Sequence, residues 1–339
     1  MTALLVGSTA GPALACGGLI GRNGSVNLVR TTTLAGYHDG VEHYVTAFTF
    51  AGTGGEFGSI VPLPGVPTNV ERGGDWTLQR LVREVKPPVR EFSGVALASA
   101  SGDSAEVLLE TRIDALDVTV LRGGAQAVGQ WATDHGFLLS PDAPEVLDFY
   151  ARRSPIFLAA RFDADAVRQR GVALGDGTPV HVTIPTSNPW VPLRILGLGR
   201  QPGERIGADI FLLTDERPTL LPGRSAAGLR VERQEPASST LLDDLRADKG
   251  GSWVPSSSWL TYLQVDAAPG DLTYDLAVDA SGASEPSRTA AGLDQVLPHD
   301  RAGRQTSVWP VVLVGGAAVA VFGAGMGVAT RRRRRRTAV

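Results

Sequence analysis

The chain has 339 residues and a formal net charge of −3, with 32 basic and 35 acidic side chains. Without its last nine residues, which hold six arginines and no acid, the charge falls to −9. An acidic main body argues against nucleic acid as its partner. The single cysteine, Cys16, excludes an intrachain disulfide, so stability has to come from the core of one large or two medium domains.

The first fifteen residues are expected to be a signal peptide. The segment ends in Ala13-Leu14-Ala15, the small-x-small pattern that signal peptidase cuts, which predicts processing before Cys16. No positive charge precedes the apolar stretch, which suggests that the true start codon lies upstream. Acylation of Cys16 is the alternative, although a lipoprotein signal favours a larger aliphatic residue than Ala13 three positions before the cysteine.

The extracytoplasmic domain is expected to span residues 16–279, with a possible division into two subdomains near 123–155. Alternating apolar residues, rich in β-branched and aromatic types, predict most of its elements to be strands. These lie at 26–30, 37–38, 41–50, 57–61, 107–113, 117–121, 156–162, 180–184, 193–198, 206–213, 229–233, 259–265 and 272–278.

Apolar residues at helical spacing predict four helices, at 76–85, 125–135, 144–152 and 241–246. Asp75 is expected to cap the first of them, and Pro87-Pro88 to end it. Helices scattered at irregular intervals among many strands favour an α+β fold with mostly antiparallel sheet over a doubly wound α/β fold.

The end of the chain has the pattern of a membrane anchor. Residues 280–308 are rich in Ala, Ser, Gly, Arg and Asp and predict a flexible stalk. Residues 309–330, beginning at Trp309, form an uncharged span of membrane-crossing length, and the basic run that starts with Arg331, Arg332 and Arg333 follows directly. The positive-inside rule then places the tail 331–339 in the cytoplasm, near anionic lipid head groups, and the domain outside.

Gly323 and Gly327 could form a seam for a homodimer within this span, although glycine-rich spans are common without dimerising.

Several stretches together resemble a bacterial exported family called domain of unknown function 2330. They are residues 15–18, 55–67, 116–121, 135–137, 154–158, 184–185 and 192–194, with Trp131 and Tyr150. The similarity covers about 16–213 and implies a secreted protein with a C-terminal membrane span. Its members often have further cysteines near the mature start, whereas this sequence has one. The resemblance implies no catalytic residue, because the role of the family is not established.

The strongest candidate site is a hairpin tip. Asp39-Gly40 predicts a two-residue turn in which His38 and His43 share one face, so that both histidines could bind a metal with Asp39 as a third ligand. An ordinary polar hairpin tip explains the same residues. Glu42 opposes Tyr37 and points to the other face.

The sequence has no nucleophile elbow, phosphate-binding loop, dinucleotide fingerprint or zinc-cysteine cluster. The pattern therefore favours a membrane-anchored binding or interaction module of the bacterial cell envelope, without a cofactor, whose partner is an envelope protein or glycan. The alternative is an extracytoplasmic hydrolase or metal-dependent enzyme that uses histidines of the domain.

Overall fold

A computed structural model describes residues 18–21, 24–25, 31–47, 57–86, 106–113, 116–162, 179–223 and 226–294. All of them belong to one compact unit of the chain. The predicted strand at 26–30 lies outside the described residues. So do the signal peptide with Ala13, Ala15 and Cys16, the span that begins at Trp309, and the arginine tail.

The described residues form strands, four α-helices and two short 3-10 helices, Arg194–Gly197 and Pro269–Asp271. The α-helices are α1 Thr77–Val85, α2 Ala125–Asp134, α3 Ala143–Ala151 and α4 Ser239–Ala247. The strands are β1 Gly18–Gly21, β2 Gly24–Ser25, β3 Thr31–His38, β4 Val41–Ala47, β5 Phe57–Leu63, β6 Asn69–Arg72, β7 Glu106–Ile113, β8 Leu116–Arg122, β9 Ile156–Phe162, β10 Val180–Pro185, β11 Trp190–Val191, β12 Ile206–Thr214, β13 Thr219–Leu221, β14 Leu229–Pro236, β15 Trp259–Ala267 and β16 Leu276–Asp279.

The strands form three sheets. The largest has the order β14-β15-β12-β3-β4-β10-β6, a second has the order β2-β1-β5-β9-β8-β7, and a small one has the order β11-β16-β13. Among the described strands every pairing is antiparallel except that of β3 with β12. The predicted α+β class with mostly antiparallel sheet is therefore confirmed.

The two large sheets bury a common core between their inner faces. Alternate residues of β5, β8 and β9 meet alternate residues of β10, β12 and β15 there, as two packed sheets require. The opposite face of the seven-stranded sheet is covered by α1 and α4, which bury their leucines against β3, β12 and β15. Helices α2 and α3 pack together, and α2 contacts β8 of the six-stranded sheet. The domain is thus layered as helices, sheet, sheet and helices.

The four predicted helices are present with ends within two residues of those expected. The predicted strand at 193–198 is wrong, because these residues form the 3-10 helix Arg194–Gly197. The backbone amides of Leu193 and Arg194 both donate to the carboxylate of Asp275, at 2.6 and 2.9 Å, instead of to a neighbouring strand. An apolar run alone does not reveal such a partner 81 residues away.

The segment 123–155 does not separate two cores. Strand β9, which follows it, lies between β5 and β8, which precede it, so one sheet contains both sides of the segment. The domain also continues past residue 279, where the stalk was predicted to begin. Ala291 is fully buried, and its carbonyl accepts from the backbone N–H of Asp275. Small residues that looked like linker composition are here small residues packed in the core.

No helix in the described part of the chain has both the length and the apolar character needed to cross a bilayer. The predicted span at 309–330 and its residues Gly323 and Gly327 are not among the residues described.

Candidate functional site

The hairpin of β3 and β4 has the turn that its sequence predicts. Asp39 and Gly40 both have positive φ, 51° and 77°, as a two-residue turn with a twist matched to its strands requires. Gly36 pairs with His43, and His38 pairs with Val41. The predicted register is confirmed, and it places His38 and His43 on the same face of the sheet.

Five neighbouring strand positions bring titratable side chains into one row on that face. From β12 outward the row consists of Asp215, directly after β12, His38 at the end of β3, His43 on β4, His181 on β10 and Glu71 on β6. The strand registers align these positions, with Glu71 opposite His181 and His181 opposite Val45, two residues from His43. We call these five residues the histidine row.

Members of the histidine row form two groups of contacts, His38 with Asp215 and His43 with His181 and Glu71. His38 Nδ1 lies 2.7 Å from Asp215 Oδ1. His43 Nδ1 lies 3.0 Å from His181 Nε2, within hydrogen-bond distance. On its other side, His181 Nδ1 lies 3.3 Å from Glu71 Oε1. The carboxylates at the two ends are each 47 % exposed, so the row begins and ends in solvent while His181, next to Glu71, is buried.

Trp253, in the loop after α4, fixes the ring of His43. The indole and imidazole planes are stacked within 2° of parallel, with centroids 4.2 Å apart. The indole lies against Gly36, where a Cβ atom would approach it to 2.1 Å, so a side chain at this position would displace the tryptophan. A small cavity of about 10 Å³, room for about one water molecule, lies beside His181 and is lined by glycines of two loops. They are Gly73, Gly74, Gly250 and Gly251.

Burial keeps the inner histidine pair neutral. Burial, together with charge repulsion from the neighbouring His181 and His38, lowers the pKa of His43 to about 4. Burial also lowers the pKa of His181, although the carboxylate of Glu71 opposes this change. Both rings are therefore uncharged at neutral pH, and each has one nitrogen lone pair to offer. Perturbed titratable groups gathered in this way are a mark of functional sites.

The opposite face of the same hairpin holds a different feature, the buried carboxyl group of Glu42. The residue is 1 % exposed, and neither oxygen makes a hydrogen bond of ordinary geometry. Burial raises its pKa to about 8, although the backbone of Trp190 opposes this shift. It lines a second cavity of about 10 Å³ together with Tyr37, Trp190 and Thr214 among mainly apolar side chains.

A third polar cluster, around Asp275, joins separate elements of the fold. Asp275 is fully buried, accepts from the hydroxyl of Tyr150 at 2.9 Å and pairs with Arg153. The hydroxyl of Tyr150 in turn accepts from the backbone N–H of Ile195 at 2.8 Å. Both carboxylate oxygens of Asp275 thus join α3 and the residues just after it to the residues that follow β11.

The predicted metal ligands are not gathered at one point. His38 Nε2 lies 3.3 Å from Asp39 Oδ2, but His43 turns to His181. Within the described residues, no group of three or more His, Cys, Asp or Glu side chains could hold a metal ion. His43 was found from the sequence, whereas His181, Glu71 and Trp253 were missed.

The fold and the histidine row define an α+β domain with a titratable cluster on an outer sheet face. A family profile described as "Uncharacterized protein conserved in bacteria (DUF2330)" matches residues 10–275, and the chain belongs to this family. The match extends about sixty residues beyond the similarity noted in the sequence, and it includes β14, β15 and Asp275.

Comparison with curated protein sequences finds no match. Among solved structures, a mutated baculovirus P35 after caspase cleavage is similar at 7 % identity and a TM-score of 0.39, over 74 % of this chain and 98 % of that one. A chain of the caspase-8/P35 complex is similar at 9 % identity and a TM-score of 0.39, over 74 % and 95 % of the two chains. Similarity at this level supports no conclusion about the present chain.

Proposed function

We propose that this protein is a binding module of the bacterial cell envelope whose recognition surface is the histidine row. The domain would lie outside the cytoplasmic membrane, anchored by residues 309–330 with Arg331, Arg332 and Arg333 on the cytoplasmic side. Its ligand would be a glycan chain of the envelope.

One observation carries this proposal, the alignment of five titratable side chains across adjacent strands. Neighbouring strands lie about 4.8 Å apart, so a row that crosses five of them extends about 19 Å across the strands. A row of this length suits an extended polymer better than a compact small molecule. Carboxylates accept hydrogen bonds and neutral imidazoles both donate and accept them, which matches the hydroxyl and amide groups of a glycan.

The accessible parts of the row support binding at its two ends. Glu71 and Asp215 are about half exposed, and their partners in the row, His181 and His38, hold them in place. A positioned carboxylate loses little side-chain freedom when a ligand binds, and this favours affinity.

The anchoring is tested by the position of the C-terminus. A tag placed after Val339 in the full chain is expected to stay unlabelled in intact cells and to become labelled once the cells are opened, because the arginines hold it inside. A tag at a loop of the domain, such as Gly203, serves as the control and should be labelled in intact cells. Labelling of the C-terminal tag from outside contradicts this arrangement.

Recognition is tested with purified peptidoglycan sacculi and the full-length protein in detergent micelles. The wild-type protein should sediment with the sacculi. Glu71→Gln and Asp215→Asn should each weaken this binding by about tenfold, because each removes a hydrogen bond to a charged group. Glu235→Gln on β14, an exposed change elsewhere on the same sheet, is the matched control. No sedimentation of the wild type, or equal losses in all three variants, would count against the proposal.

A further inference from the structure

The inner pair of the histidine row has a geometry that suggests a specific ligand. His43 Nδ1 and His181 Nε2 face each other at 3.0 Å. Two imidazole nitrogens on one tetrahedral zinc ion, each about 2.05 Å from the metal, are about 3.3 Å apart. The observed separation is therefore a few tenths of an ångström from that of a metal-bound pair.

One contact of His181 resembles that of a metal-binding histidine. Its other nitrogen, Nδ1, faces the carboxylate of Glu71 at 3.3 Å. Metal-binding histidines commonly direct their second ring nitrogen at a carboxylate, which fixes the ring and increases its basicity.

We infer that His43 and His181 together bind one divalent transition-metal ion of the zinc or copper type, with Glu71 as the positioning carboxylate behind His181. Two imidazoles are the protein ligands, and water or a donor group of the bound polymer would fill the remaining coordination positions. Imidazole suits zinc, copper and nickel, whereas the hard cations magnesium and calcium prefer oxygen.

Metal binding needs one rearrangement and releases no proton. The hydrogen that the two facing nitrogens share has to leave the space between them. When it lies on His43 Nδ1, that ring changes to the tautomer with hydrogen on Nε2, while His181 keeps its hydrogen on Nδ1 toward Glu71. Both nitrogens then offer a lone pair to the ion.

This inference concerns the proposed recognition surface and rests on it, so the experiment separates the two. Zinc is titrated into metal-free, full-length protein in detergent, with heat as the readout and without sacculi. The wild type should bind one zinc ion and no magnesium. His43→Gln and His181→Gln should weaken zinc binding by more than tenfold, and Glu71→Gln, which removes the positioning charge, by about tenfold.

His135 provides the matched control. It follows α2, where its Nδ1 donates to the carbonyl of Trp131, and His135→Gln should leave zinc binding unchanged. His38, which pairs with Asp215, tests the alternative position of the ion at the hairpin tip. If His38→Gln abolishes zinc binding and His181→Gln does not, the ion sits at the hairpin tip and the inference is overturned.

A measurement on the wild type avoids dependence on the folding of any variant. With nitrogen-labelled histidine, zinc should shift the NMR resonances of His43 Nδ1 and His181 Nε2 and leave those of His135 in place. Absence of zinc binding, or shifts confined to other histidines, overturns the inference. Zinc binding without binding to sacculi supports the metal site and counts only against the proposed glycan ligand.

Discussion

At the scale of single residues, the hairpin of β3 and β4 carries two opposite responses to burial. The pKa of His43 on one face is lowered, and the pKa of Glu42 on the other face is raised. In both cases removal from water disfavours the charged form. The two side chains are therefore neutral over different pH ranges. His43 is neutral above its pKa of about 4, and Glu42 is neutral below its pKa of about 8.

The carboxyl group of Glu42 predicts a loss of stability with rising pH. Its pKa in the folded state is raised from 4.5 to about 8, so its contribution is fully present below about pH 4.5 and is lost as the pH rises through 8. Over this range the loss amounts to at most about 5 kcal/mol. Glu42→Gln cannot ionise, so the variant should be slightly less stable than the wild type at pH 5 and more stable at pH 9.

Thermal unfolding of the full-length protein at pH 5, 7 and 9 measures this crossover. Glu235→Gln, at a carboxylate that is half exposed on β14, is the control and should follow the wild type at every pH. If Glu42→Gln shows the same pH dependence as the wild type, then Glu42 is not the group responsible.

At the scale of elements, helix α1 is capped by a residue that is distant in the sequence and not by the residue that the local sequence predicts. Asp75 was expected to cap this helix, but it pairs with Arg72. The cap comes from Asp248, which follows α4 and accepts from the backbone amides of Asp75 and Trp76, both at 3.1 Å, and from the Thr77 hydroxyl. Burial by itself would raise the pKa of Asp248, but these hydrogen bonds outweigh it and hold the pKa below its usual value.

Removal of this carboxylate is expected to destabilise the domain. Asp248→Ala leaves the backbone amides of Asp75 and Trp76, directly before α1, without this acceptor and should cost about 1–2 kcal/mol of unfolding free energy, the usual value of a helix cap. Asp75→Ala removes the residue that local sequence favours as the cap and should change stability by less than about 0.5 kcal/mol. Urea denaturation of both variants measures the difference. Equal losses would mean that the local carboxylate contributes as much as the distant one.

The sequence predicts elements well where the signal is local. The helix at 125–135 is recognisable from its periodicity and its closing glycine, and the hairpin from Asp39-Gly40. Only part of the histidine row could be predicted, for the same reason. His38 and His43 flank a turn and can be aligned by counting, whereas His181 reaches His43 only because β10 pairs with β4 from 138 residues away. Asp248 and Asp275 likewise bind residues that are far away in the sequence, and no local pattern predicts these contacts.

At the scale of the whole molecule, the chain alternates between its two large sheets. It passes from β1 and β2 in one to β3 and β4 in the other, returns for β5, and alternates again at β6, β7 and β10. Neither sheet is therefore a separate unit of sequence, which explains why a boundary near 123–155 does not divide the domain. The shared core between the sheets is built from residues along nearly the whole length of the domain.

The parallel pair at the centre of the seven-stranded sheet affects how quickly this structure can form. Strand β3 joins β12 with Thr33 beside Ile210, so a loop of some 177 residues has to close before the two middle strands meet. Contacts between such distant parts of a chain slow folding, because the entropy of closure is lost before the contacts compensate for it. Until β12 has been made, the hairpin of β3 and β4 has an open edge, and the newly synthesised chain is exposed to pairing with other chains during that interval.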